Sequence, residues 1–244
     1  MRALHSQITI AMAMSLATIV GSAVKAQDTP LGSRLPGAQG FTTERARVHA
    51  ILQGHLFASC TVHKRLTLVR RFLAETDPAA VHRDSNLLAR ELECISFTGT
   101  SDFVVGSKMS TSTDIYRGNL AEAMLGHIKP MPVLAAMPLQ REYSMPLVTV
   151  SGREPVVEEM AVCVAETNPD AIVVLLATDP ETAAEASRIQ QLLPSVVKCL
   201  MATARLTANR QSMRAGLAEV LYHRAERATA GATERLAVTP APRN

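Results

Sequence analysis

The chain repeats itself, and that repetition constrains its fold more than any other feature of the sequence. Phe57-Ala58-Ser59-Cys60, the apolar stretch from Val69 to Leu73-Ala74, and Thr76-Asp77-Pro78 recur as Met160-Ala161-Val162-Cys163, Ile172 to Leu176-Ala177, and Thr178-Asp179-Pro180. A further cysteine follows in each copy, Cys94 in the first and Cys199 in the second. Each copy closes on one pattern, Arg117-Gly118-Asn119-Leu120-Ala121-Glu122 and Arg214-Ala215-Gly216-Leu217-Ala218-Glu219. A unit of this length has only a marginal core by itself. The expected architecture is therefore all-α, two tandem related helical units packed together.

The repeat also accounts for the cysteines. Four cysteines allow three disulfide pairings. Their matched positions favour Cys60 with Cys94 and Cys163 with Cys199, one staple in each unit. The rival reading is a metal site, but there is no Cys-x-x-Cys pair. No metal and no cofactor is expected. Closing loops of this size constrains the unfolded chain by roughly 3–4 kcal/mol each in the chain-entropy model. A redox-active pair wants cysteines close in sequence with a lowered thiol pKa, so the bridges read as structural.

Residues 1–26 read as a signal peptide. Arg2 and His5 form a short polar start, Ile8 to Val20 is apolar, and Val24-Lys25-Ala26 supplies small residues for cleavage. The apolar run falls short of the roughly 20 residues that cross a bilayer, and no Cys follows it to carry a lipid. The expectation is an exported protein, periplasmic or extracellular, with no integral membrane segment after cleavage, in a compartment that permits disulfides. The chain carries a net charge of +3. Arg2 and Lys25 leave with the signal, so the remainder is close to neutral. With no Trp and 3% aromatic residues, it lacks the basic field and stacking surface of a nucleic-acid binder.

The remaining organisation follows from periodicity and punctuation. Residues 27–41 are a flexible leader, 42–127 helical repeat one, 128–150 a proline-rich connector, 151–227 helical repeat two and 228–244 a flexible tail. The first helix starts at Thr42 or Thr43 and runs to about Lys64, with Val48, Ile51, Leu52, Leu56 and Cys60 as its core face. Leu66 to Ala74 is a second, short helix, broken by Asp77-Pro78. Asp84 or Ser85 caps the next, 97–111 is a loop or small hairpin, and Ser112 or Thr113 starts another helix. Ser151-Gly152-Arg153-Glu154 reads as a capping box ahead of Pro155. Asn168-Pro169 and Asp179-Pro180 read as further helix starts. Ala171 to Ala177 is apolar throughout, hence buried on all sides. Glu181 to Leu200 is a helix kinked or split at Pro194, and the last runs from about Ser212 to Arg227. The connector should pack over the core, because Met131, Val133, Leu134, Met137 and Leu139 are too apolar to be left wet.

Signatures of chemistry are missing. There is no Gly-x-Ser-x-Gly elbow, zinc helix, haem motif or phosphate-binding glycine loop. His49, His55, His63, His82, His127 and His223 share no ligand spacing. His55 reads as a packed, hydrogen-bonded residue, and Glu158-Glu159 as a solvated edge. In the closing motif, Arg117 and Arg214 can hold carbonyls at the end of a neighbouring helix. Glu122 and Glu219 pair with them or are solvated, and Gly118 and Gly216 allow a close helix approach. The functional alternative is a pair of Arg/Glu sites for an anionic ligand. The Met and Leu residues of the connector are the best candidate surface for a partner or an acyl chain.

The order Cys, helix, Asp-Pro, Cys, then Arg-x-x-Leu-Ala-Glu-x-Leu-Tyr from Arg214 to Tyr222 resembles small exported proteins of alphaproteobacteria. The first copy departs from it by ending in Met124-Leu125. The resemblance implies an exported, disulfide-stapled helical protein and brings no activity with it. The favoured function is non-enzymatic: binding or interaction with a protein partner or a small apolar ligand, through the surface between the units or the connector. The alternatives are a periplasmic hydrolase with a site assembled from dispersed residues around His55 and His63, and a small-ligand or lipid carrier.

Overall fold

Helix ends in this chain are set by a few residues that leave helical backbone. α1 (Glu44–Ala74) is broken at Arg65, whose φ of −132° and ψ of 37° are non-helical. The shift in numbering that carries Cys60 onto Cys163 carries Arg65 onto Asn168. There φ is −148° and ψ 59°, and the residue separates α6 (Pro155–Thr167) from α7 (Pro169–Leu176). The second break has a chemical cause in Pro169, which donates no N–H and disfavours helical backbone in the residue before it. The computed structural model describes residues 44–97, 111–200, 204 and 206–238, and every regular element among them is a helix. The expected signal peptide, the leader and most of the Gly/Ser/Thr-rich loop lie outside the described residues.

Between these pairs stand α2 (Pro78–Leu88), α3 (Leu92–Phe97), α4 (Thr113–Leu125) and α5 (Val148–Ser151), followed by α8 (Ala183–Cys199) and α9 (Arg210–Val238). Several caps differ from expectation. Asp77 caps α2, accepting from the amides of Ala79 and Ala80. Asp84, expected as a cap, is instead buried within that helix and receives both Nε and Nη2 of Arg71, at 2.9 and 3.0 Å. Ser151 closes α5 rather than opening α6. Gly152 follows it at φ 74°, a left-handed conformation that glycine adopts without strain, and Glu154 precedes α6 with no side-chain cap. Thr182, not Asp179, caps α8, by accepting from the Glu185 amide. Pro194 sits inside α8 without splitting it. The last helix starts at Arg210 and continues past residue 227 to Val238, because Ala228 to Ala237 contains no proline to stop it.

Two apolar clusters form the core. Phe57, Val62, Phe72, Leu73, Leu120 and Met124 belong to the first, joined by Leu147, Val150 and Tyr222. Met160, Val164, Ile172, Leu175, Leu217 and Leu221 belong to the second, joined by Leu134 of the connector. Cys60 bridges to Cys94 and Cys163 to Cys199, with Cα atoms 5.5 and 5.6 Å apart, tying α1 to α3 and α6 to α8. The connector only half covers the core. Leu134 is buried, but Val133 is 97% exposed, and Met137 and Leu139 also face solvent. The α7 helix is not buried all round either: Ile172 and Leu175 point inward while Val173 and Val174 are exposed. A helix at the edge of the bundle has one side with no neighbour to cover it.

The two clusters meet where α4 crosses α9. A Cβ on Gly118 would lie 2.2 Å from the Ala215 Cβ and 2.6 Å from its carbonyl oxygen, so the crossing requires glycine there. Gly216, the other expected point of close approach, faces Ala161 and Arg153 at an ordinary 3.5 Å. Gly118→Ala should therefore lower unfolding free energy by about 3 kcal/mol in urea denaturation, since neither backbone can yield without shifting the core. Gly231→Ala on α9, whose Cβ would meet nothing within 4 Å, should raise it by about 0.5–1 kcal/mol. Equal responses at the two positions would contradict the close crossing.

Candidate functional site

The crossing at Gly118 and Ala215 places the arginine of each closing motif beside the glutamate of the other. Arg117 is wholly buried. Its Nε donates to Glu219 Oε1 at 2.7 Å, Nη1 to the Phe72 carbonyl at 3.1 Å and Nη2 to the Leu73 carbonyl at 2.8 Å. Its guanidinium also lies 5.0 Å from the centre of the Phe72 ring. Arg214 donates to Glu122 through Nε at 2.9 Å and Nη2 at 2.6 Å. It also donates to Glu185 Oε1 at 3.1 Å and to the carbonyls of Leu175, Leu176 and Thr178 at 3.4, 3.3 and 2.9 Å. Each arginine thus donates to carbonyls at the end of a helix, α1 or α7, where the helix itself supplies too few amide donors. Only a guanidinium offers five N–H donors in a planar fork for this task.

A third arginine acts on one side only. Arg153 is buried, donates through Nη1 to Glu158 Oε2 at 2.9 Å, and through Nη2 to Glu219 Oε2 and the Asp114 carbonyl. Glu158 is therefore not a solvated edge but the carboxylate that balances Arg153. Nothing in the sequence pattern pointed to Arg153, Glu158 or Glu185. Their role depends on helices brought together from distant parts of the chain. Burial by itself would raise the Glu219 carboxyl, but Arg153 and Arg117 more than offset it and hold the group well below the usual carboxylate range.

The other side holds an open cleft of about 640 Å³. One wall is the α1 face carrying Leu52, His55, Leu56 and Ser59. The floor comes from α4, with Asn119, Glu122 and Leu125, and the far wall is the turn from Leu176 to Pro180. Leu52 and Leu56, expected in the core, are thus cleft-wall residues, 36% and 44% exposed. His55 Nδ1 stands 3.8 Å from Glu122 Oε2. Burial lowers the His55 pKa below its ordinary 6.5, against the pull of Glu122. His63 is exposed, does not line the cleft and makes no site with His55.

A second cleft has a volume of about 470 Å³. It is lined by Glu158 and Val162 of α6, Val220 and His223 of α9, Ala74 at the end of α1 and Thr76 beyond it. The connector straps it from Gln140 to Leu147. Met137 donates its amide to the Glu166 carbonyl at 2.7 Å, and Arg224 reaches the carbonyls of Ala135 and Ala165.

Among the described residues no helix is long and apolar enough to cross a membrane, and no group of His, Cys, Asp or Glu is arranged to hold a metal. Comparison with protein-family models, with curated proteins and with solved structures finds no match to any of them.

The shifted groups make stability depend on pH. A carboxylate held below its unfolded value stabilises the fold above that value and ceases to as pH falls toward the folded one. The contribution of Glu219 should therefore be complete above about 4.5 and decline below it. His55, also held low, should add a decline that begins near pH 6.5. Unfolding curves across this range should show both, and Glu219→Gln should flatten the acid limb. That variant should also cost about 3–5 kcal/mol at neutral pH, because it leaves the buried Arg117 without a counter-charge and Arg153 with Glu158 alone. An acid limb unchanged by the substitution would refute this assignment.

Proposed function

We propose that this is an exported binding protein, built from two related helical units, each stapled by one disulfide, and that it holds a small molecule in the open cleft where the units meet. The relatedness of the units is supported by matched breaks at Arg65 and Asn168. It is also supported by reciprocal pairing of Arg117 with Glu219 and Arg214 with Glu122. Gly118 and Ala215, matching positions in the two copies, touch each other at the crossing, as equivalent residues do on a two-fold axis. Export is supported by the signal-like segment and by two disulfides.

The observation that carries the binding reading is the cleft itself. It combines exposed leucines with a few converging polar groups, His55, Asn119 and Glu122, the usual composition of a small-molecule site. Native mass spectrometry of the protein purified from its host should show a reproducible extra mass. Ser59→Phe, which fills the cleft from an exposed position, should remove it. Extra mass that survives Ser59→Phe would move the ligand elsewhere.

A hydrolase is the second reading. It rests on one observation: neutral His55 beside Glu122, with Ser59 one helical turn away on the same wall. Turnover of a small activated ester that is abolished by His55→Ala would favour it. No turnover, with the bound mass retained, favours the binding protein.

A further inference from the structure

We propose that the ligand of the open cleft is an organic cation, an ammonium or guanidinium group carried on an apolar body; this rests on the cleft being a binding site.

The first reason is the charge on its walls. Among the described residues, Glu122 and Asp179 are the formally charged side chains that line it. Glu122 retains 18% exposure toward the cleft. Arg214, behind it, is 3% exposed and has all its N–H groups engaged by Glu122, Glu185 and three carbonyls. An anionic ligand would find no donor on that guanidinium and would meet two like charges. The Glu122 carboxylate takes two hydrogen bonds from Arg214, yet a carboxylate has about four acceptor sites. Capacity for another donor remains, beside His55 and Asn119.

The second reason is independent of the first. On the opposite side the chain shows which group such a position takes. Glu219 matches Glu122 in the closing motif, and Glu158 stands where the repeat shift places His55. Between Glu219 and Glu158 lies the guanidinium of Arg153, with a backbone carbonyl as its third acceptor. The same shift places Ala50 where Arg153 stands, and its side chain ends at Cβ. One side of the molecule therefore sets a second guanidinium of its own against Glu219, whereas Glu122 on the other side is held by Arg214 alone and lines the larger open cleft. The body of the ligand follows from Leu52, Leu56, Leu125 and Leu176, which leave apolar surface around the polar floor.

The test is a titration of the intact, disulfide-bonded protein with hexylamine, hexanol and hexanoate, followed by amide NMR at Asn119, Gly126 and Thr178. Hexylamine should shift these amides at least about tenfold more tightly than hexanol, given the strength of charge-assisted hydrogen bonds, and hexanoate should not shift them. Asp179→Asn should weaken hexylamine several-fold, and Ser59→Phe should abolish its effect. Equal binding of hexanol or hexanoate, still abolished by Ser59→Phe, would overturn the cation while leaving the binding site intact. Amine shifts that persist in Ser59→Phe would also overturn the proposal. No shift with any probe would remove both the cation and the site.

Discussion

Two buried guanidiniums organise the centre of this molecule. α1 and α7 both end beside the α4–α9 crossing, and their last carbonyls have no partner within the helix. Arg117 meets the end of α1 and Arg214 the end of α7. Burying a guanidinium needs a compensating charge, supplied by Glu219 and Glu122 across the α4–α9 crossing. Four helices are thereby fixed relative to one another by two side-chain pairs. Buried ion pairs add little net stability over apolar packing of the same shape, but they make misalignment expensive, since a slipped helix would strand a charge. Their work here is registry, and the close contact of Gly118 with Ala215 is the packing that registry permits.

The same arrangement explains why the two sides differ. If the units arose by duplication, they began with equivalent clefts. On one side Arg153 is buried between Glu158 and Glu219, and the connector packs alongside through Leu134, the Met137 amide and the bonds to Arg224, leaving the smaller cleft. The other has His55 and Ala50 at the matching positions and no covering segment among the described residues.

Much of the frame was legible in the sequence, because repetition reports equivalent environments without needing coordinates. The cysteine spacing and the paired Arg-x-x-Leu-Ala-Glu motifs drew attention to the residues that staple and centre the fold. Caps were read less well. Asp84, Ser151 and Asp179 each had the right chemistry for a helix start, but Asp77, Gly152 and Thr182 stand where the backbone turns. The candidate site was hidden for a different reason. Leu52 and Leu56 share helical spacing with true core residues, and periodicity marks an apolar stripe without saying whether a partner covers it. Arg153 was invisible because its partners, Glu158 and Glu219, matter only once α6 and α9 are side by side.

The staples and the ion pairs also determine how rigid the open cleft is. Its near wall carries Ser59, next in sequence to Cys60 and therefore next to the bridge into α3. Its floor carries Glu122, held through both oxygens by Arg214. Its far wall, from Leu176 to Pro180, is held by the same Arg214 through the Leu176 and Thr178 carbonyls. One guanidinium thus sets the distance between floor and far wall, and a disulfide steadies the side opposite. Walls fixed in this way need little ordering when a ligand enters, and preorganisation of that kind raises affinity without adding contacts. The interactions that hold α1, α4, α7 and α9 together are therefore the ones that shape the open cleft.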